Sequence, residues 1–205
     1  MNSNGGYDDG YLHCPCFWGE EPGSLVRLLC EFCADWAGHR VLDAGCGEGK
    51  NAVFLARRGA SVEAFDISQS AIDNARRHWG NVPGVSYDRA DVVDLVLAAE
   101  SYHCVVGYGL CHCLPDRERI AKVLDSFQVA TRVGGYNVLC AFNDRSHDMS
   151  AHPTFEPTLL PHAAYVEQYR GWRILHSSDT DLHETHPHNG IPHWHSMTRI
   201  LAQKI

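Results

Sequence analysis

The sequence lacks an apolar run long enough to span a bilayer, and its start lacks a charged segment followed by an apolar core. Neither a membrane-spanning chain nor a secreted one is expected. It also lacks a basic excess: 17 Lys and Arg stand against 25 Asp and Glu, a net charge of −8. That balance argues against a general nucleic-acid or anionic-membrane partner. Cys14-Pro15-Cys16 has no second cysteine pair at ligand spacing, so it is not read as a metal site. Nine cysteines are an odd number, and with no secretion signal the expectation is reduced thiols in the cytoplasm. What the chain does have is length. Its 205 residues suit one α/β domain, which can bury roughly 70% of its unfolded surface without help from metal or disulfide. Fourteen histidines are many for this length and crowd toward the C-terminus.

One stretch organises the rest: RVLDAGCGEGKNAVFLARRGASVEAFD, residues 40–66. Val41 to Ala44 reads as a buried strand, Gly45-Cys46-Gly47-Glu48-Gly49 as a tight turn, and Lys50 to Arg58 as a helix. Gly59-Ala60 ends the helix, and Ser61 to Phe65 begins a second strand ending in Asp66. Glycines at alternate positions let backbone approach a ligand closely. The unpaired N–H groups opening the helix favour a polar ligand group. An acid at the tip of the second strand can hold both hydroxyls of a ribose. The spacing is G-x-G-x-G rather than G-x-G-x-x-G, and Asp43 precedes the first glycine, where it would repel a pyrophosphate. A ligand carrying positive charge fits better than a nicotinamide cofactor.

VLDAGCGEG followed by Asp66 resembles the first motif and acidic loop of class I S-adenosylmethionine-dependent methyltransferases. The resemblance implies a Rossmann-like, doubly wound α/β fold with a seven-stranded, mostly parallel sheet whose last strand runs antiparallel. It implies S-adenosylmethionine as cofactor, bound by Asp43, Gly45, Cys46, Gly47, Gly49, Asn51, Asp66 and Ile67. By the same match Asp91 would meet the adenine amino group, with Val92 alongside and Tyr108 at the tip of the fourth strand. Read on its own, an Asp after a strand is more often a helix cap.

The remaining chain is expected to form a single domain over residues 1–205. Residues 1–24 read as a lid, and WGEEPGS within them is similar to the segment before the first helix of tellurite-resistance and thiopurine methyltransferases. Tyr11, Phe17 and Trp18 are the expected cofactor or substrate covers. Ser24 is the expected cap of a helix to about Ala37, with Leu25, Leu28, Leu29, Phe32 and Trp36 as its core stripe. Ser68 or Ser70 caps a helix to Trp79; Val85 to Ala90 and Tyr102 to Tyr108 are strands; Pro115-Asp116 opens a helix through Phe127. Gly134-Gly135 is the turn before a strand from Tyr136 to Phe142. Residues 143–162 read as a loop over the active site, with His152 and Phe155 as substrate contacts. A short helix from Ala163 to Arg170 then leads into a strand from Gly171 to Leu175.

GYGLCHCLPD resembles the family's fourth motif, but Gly107-Tyr108-Gly109 stands where an Asp or Asn would assist an amine substrate. His112 is the third choice for catalysis. The tail, residues 179–205, reads as a hairpin turning at His188-Asn189-Gly190 and is similar to that of tellurite-resistance methyltransferases. On that match His183 is the first choice for a catalytic base, with His195 second. Glu184 stands where those relatives carry an arginine, and a second arginine past the turn has no counterpart, so a neutral or cationic acceptor is expected. His193, His195, Met197 and Arg199 alternate onto one strand face, and His193 is an expected substrate contact. His186 and His188 can join His193 and His195 across the hairpin, which makes imidazole metal binding geometrically possible. The simpler reading is a solvent-facing or core histidine strand, and no metal ligand is assigned. The expected function is methyl transfer to a small-molecule nucleophile with a sulfur, nitrogen, oxygen or metalloid acceptor atom, by a monomer or homodimer. The alternative is a cofactor- or metal-binding protein of the same fold without that activity.

Overall fold

The computed structural model describes residues 7–152, 155–186 and 190–205. Seven strands form one sheet: β1 Arg40–Ala44, β2 Ser61–Asp66, β3 Val85–Arg89, β4 Tyr102–Tyr108, β5 Thr131–His147, β6 Arg173–Thr185 and β7 Pro192–Gln203. Their order is β3-β2-β1-β4-β5-β7-β6. β7 is antiparallel to both its neighbours, and the other pairings are parallel. Strand order reverses between β1 and β4, and in such sheets ligands sit beyond the carboxyl ends of the strands at that point.

The helices are α1 Asp8–His13, α2 Ser24–Phe32, α3 Lys50–Ala56, α4 Gln69–Trp79, α5 Arg117–Ala130 and α6 His162–Gln168. Side-chain alternation splits the strands between two cores. Val41, Val62, Val106 and Leu201 pack with α2, α3 and α4 on one face. Leu42, Val105, Leu139 and Ile200 pack with α5 and α6 on the other. Among the described residues no helix is long and apolar enough to cross a membrane.

Four expectations need correction. α2 stops at Phe32, not Ala37, and Gly23 rather than Ser24 caps it. Asp35 accepts the Ala37 N–H at 2.9 Å, a local turn that competes with helix. Trp36 is nevertheless fully buried, whereas Phe32 is exposed. Gly134-Gly135 is not a turn before β5 but an irregularity within it: pairing with β4 jumps from Thr131 to Tyr136 across these glycines. β5 also continues past Phe142 to His147, which pairs with His195 beyond a further register shift, so the loop begins later than residue 143. Finally, the strand expected near Gly171 and the first arm of the C-terminal hairpin are one element, β6. The hairpin turn at His188-Asn189 lies outside the described residues.

Candidate active site

A cavity of about 880 Å³ opens over the carboxyl ends of the strands. At one end it is lined by Gly45, Cys46, Asn51, Asp66, Ile67, Asp91 and Val92. The glycine turn builds this end largely from backbone. The Gly47 N–H donates to Asp66 Oδ2 at 2.7 Å, and the Ser68 N–H to Asp66 Oδ1 at 2.9 Å. Burial pushes the Asp66 carboxyl up, and these two amides pull it partly back. Asp91 both faces the cavity and caps a single 3₁₀ turn by accepting the Val93 N–H at 3.0 Å.

Three expected contacts lie elsewhere. Asp43 is 1% exposed, is not on the cavity wall, and neither oxygen completes a hydrogen bond among the described residues. Burial drives its carboxyl up to about 7, a shift that the nearby Ala52 N–H reduces. Gly47 and Gly49 also do not line the cavity. A Cβ on Gly47 would come within 3.0 Å of the Tyr11 hydroxyl, and one on Gly49 within 2.6 Å of the Tyr87 ring. The room these glycines leave is taken by aromatic side chains of this chain, not only by a ligand.

Tyr7, Tyr11 and Trp18 form the roof, while Phe17 packs beneath it, buried and off the wall. Glu48, read in the sequence only as a spacer between glycines, fixes this segment. Its carboxylate accepts the Cys16 N–H at 2.9 Å, the Phe17 N–H at 2.6 Å and Asn74 Nδ2 at 2.9 Å. Lys50 Nζ donates to the Trp18 carbonyl at 2.8 Å, and Asn51 Oδ1 accepts the Gly23 N–H at 2.8 Å. The N-terminal segment is thus tied to the glycine turn and the start of α3.

The opposite end of the cavity is lined by Tyr108, His112, Phe142, Leu182, Glu184, Met197 and Arg199. His112 stacks on Phe142 with ring centroids 3.8 Å apart. Its Nδ1 accepts the Phe142 N–H at 3.1 Å, so the proton sits on Nε2. Burial, and then the neighbouring imidazoles, lower its pKa to about 3. A neutral ring with that tautomer can donate a hydrogen bond to a ligand but is a poor base at neutral pH.

The expected catalytic base His183 lies off the cavity. β6 alternates, and the residues flanking His183, Leu182 and Glu184, are the ones on the wall. His183 is exposed on the other side. His195 and His193 are buried behind the wall rather than on it, and so are the half-buried His152 and Phe155. Phe155 instead packs against Tyr7 and His112, at 5.7 and 6.0 Å between ring centroids.

Behind Glu184 the structure gathers imidazoles from three segments. His186, His193 and His195 place Nε2 3.9, 3.6 and 3.7 Å from Glu184 Oε1, and His152 joins them from the loop after β5. His188 lies outside the described residues. Burial raises the Glu184 carboxyl, while His193, Lys50 and Arg199 lower it. Burial and the surrounding imidazoles bring His195 down to about 3. Lys50 and Arg199, besides Arg119, therefore line this cavity although the hairpin arginines expected from the resemblance are missing. Sequence spacing marked Arg199 only as one of an alternating set, and gave no sign that Lys50 turns inward.

Comparison with known proteins agrees with this geometry. Residues 41–135 match the family model described as a methyltransferase domain. A probable S-adenosyl-L-methionine-dependent methyltransferase TehB of Haemophilus influenzae is 27% identical over 171 residues, covering 80% of this chain and 57% of that one. A ubiquinone biosynthesis O-methyltransferase of Neisseria meningitidis is 37% identical over 93 residues, covering 43% of this chain and 39% of its own. The chain spans less than two-thirds of the length of either. The crystal structure of TehB from H. influenzae superposes with a TM-score of 0.72 at 21% identity, covering 100% of this chain and 68% of that chain, a likeness of fold.

Proposed function

We propose that this chain is a class I S-adenosylmethionine-dependent methyltransferase that transfers a methyl group to a small polar nucleophile held at the β6–β7 end of its cavity; the methyltransferase domain matched at residues 41–135 and the shared fold support the reading. The observation that carries the reading is one continuous cavity with two chemically different ends. Asp66, with its two oxygens already aligned by Gly47 and Ser68 amides, is placed to take the ribose hydroxyls. Asp91, Ile67 and Val92 bound the adenine region beside it. Tyr11 and Trp18 close over the cofactor and exclude water.

The sulfonium is itself a good methyl donor, so the protein's contribution is alignment and desolvation of the acceptor. His112 Nε2–H is a donor for an acceptor lone pair, and Arg199 and Lys50 offer positive charge. An acceptor with an oxygen or anionic group suits this lining better than the neutral or cationic one that the tail's lost arginines imply. Glu184, buried and raised, is the group on the wall best suited to accept a proton from the nucleophile. All nine cysteines are unpaired, the state a reducing cytoplasm maintains. Calorimetry with adenosylhomocysteine tests the first half of the reading, and methyl transfer to a panel of thiols, phenols, amines and carboxylates tests the second. Absence of heat with either adenosyl compound would overturn it.

A further inference from the structure

The histidine cluster behind Glu184 has a proton inventory that can be worked out. His193 Nδ1 lies 2.8 Å from the Ile191 carbonyl oxygen, which only accepts, so Nδ1 carries a proton and, in the neutral ring, Nε2 is the lone pair. His147 Nε2 faces the Asn143 carbonyl oxygen and is protonated for the same reason, leaving its Nδ1 as an acceptor. His195 Nδ1 must then donate to His147 Nδ1 across 3.2 Å, and His195 Nε2 is also a bare lone pair. Both Nε2 atoms are buried and make no hydrogen bond among the described residues. They converge on Glu184 Oε1 at 3.6 and 3.7 Å.

With both rings neutral and Glu184 ionised, the state in which all three can ligate a metal, three lone pairs face one small volume in a region where burial strengthens their repulsion. The separations exceed a hydrogen bond. They are close to the spacing of two ligands on one ion: N and O ligands at tetrahedral zinc lie about 3.3 Å apart. His186 Nε2 is 3.9 Å from the same carboxylate oxygen and 3.0 Å from His152 Nε2, so a further imidazole is within reach. The carbonyls of Ile191 and, through His147, Asn143 fix the ring tautomers, as outer-shell partners of metal-bound histidines do.

We propose that Glu184, His193 and His195, with His186 or His152 as fourth ligand, bind a divalent ion of the zinc class. Imidazole-rich donors with one carboxylate suit zinc and its transition-metal neighbours, not magnesium or calcium. The ion ties the last pairs of the β6–β7 hairpin, Glu184 and His193 among them, to the loop after β5. It also secures the roof, because His186 stacks on Phe17 at 5.1 Å and meets Trp18 edge-on at 4.9 Å. Glu184 brings the ion to the wall of the cavity, and with the ion bound it serves there as a ligand, the proton-accepting role belonging to the ion-free chain.

The test uses the full chain stripped with a chelator, then titrated with Zn²⁺ by calorimetry and with Co²⁺ by visible absorption. One ion per chain, a cobalt d–d band and a higher melting temperature are expected. His147→Ala, which removes only an orienting partner, should weaken the ion about tenfold or more. The double variant His193→Ala/His195→Ala should abolish binding, and His183→Ala on the outer face of β6 should leave it unchanged. A folded chain that binds adenosylhomocysteine but takes up neither ion overturns the site, as does ion binding that survives the double variant. Loss of adenosylhomocysteine binding with the ion still bound strikes only the proposed function.

Discussion

The two ends of the cavity are built by different means. At the β1–β2 end, position is set by backbone: a turn with three glycines at positive φ, and amides that aim Asp66. At the β6–β7 end it is set by side chains that arrive from β6, β7, α3 and the turn after β4, each held by its own partner: Arg199 by the Thr180 hydroxyl, Lys50 by the Trp18 carbonyl and His112 by the Phe142 amide. A backbone-made site tolerates little change in its glycines. A side-chain-made site can be reshaped residue by residue, which is where acceptor choice would be expected to vary.

Replacing Asp66 with Ala should have the largest effect on the first end. Two amides lose their acceptor and the ribose loses its partner, so the Kd for adenosylhomocysteine should rise about a hundredfold, near 2.7 kcal/mol, by calorimetry. A similar loss on Arg199→Ala would break the comparison, because that residue belongs to the other end. Gly49→Ala tests the backbone claim through stability. Gly49 has φ +83° and a Cβ there would meet Tyr87 at 2.6 Å. A cost of about 2 kcal/mol would lower the melting temperature by roughly 4–8 °C.

The second end should respond to pH. His112 and His195 are held near 3 in the folded chain against about 6.5 when unfolded. The unfolded chain therefore binds more protons between these values, and stability is complete above about 6.5 and falls as pH drops toward 3. Each group can contribute up to about 1.4 kcal/mol per pH unit in that window. Thermal melts from pH 7.5 to 5 should show the decline, and His112→Gln should make it shallower. The smallest effect is expected for His183→Ala, which should change turnover by less than about twofold because its side chain points away from the cavity. A large loss of turnover there would return catalysis to the outer face of β6.

The contrast also explains what could be read from sequence. The turn at residues 45–49, Asp66 and the sheet around them are written in neighbouring positions, and a local pattern suffices to place them. Glu48 escaped notice although it sits inside that pattern, because its partners Cys16, Phe17 and Asn74 are distant in sequence. The hairpin was legible as strands but not as a site. Strand alternation says that His183 and Glu184 face opposite ways, yet not which faces inward, and the resemblance pointed to the wrong one. Asp43 marks a further limit: an acid beside glycines looks like a ligand contact, and only the structure shows it sealed below the turn.

The grip of Glu48 on the Cys16 and Phe17 amides has a kinetic corollary. The loop that would cradle the donor is also the anchor of the roof above it, so breaking that anchor, by Glu48→Gln, is expected to speed release of a spent donor. Hydrogen bonds to a charged group are worth about 1.5–3 kcal/mol each. A chain built this way is expected to hold what it has used, and to turn over no faster than its N-terminal strap can lift.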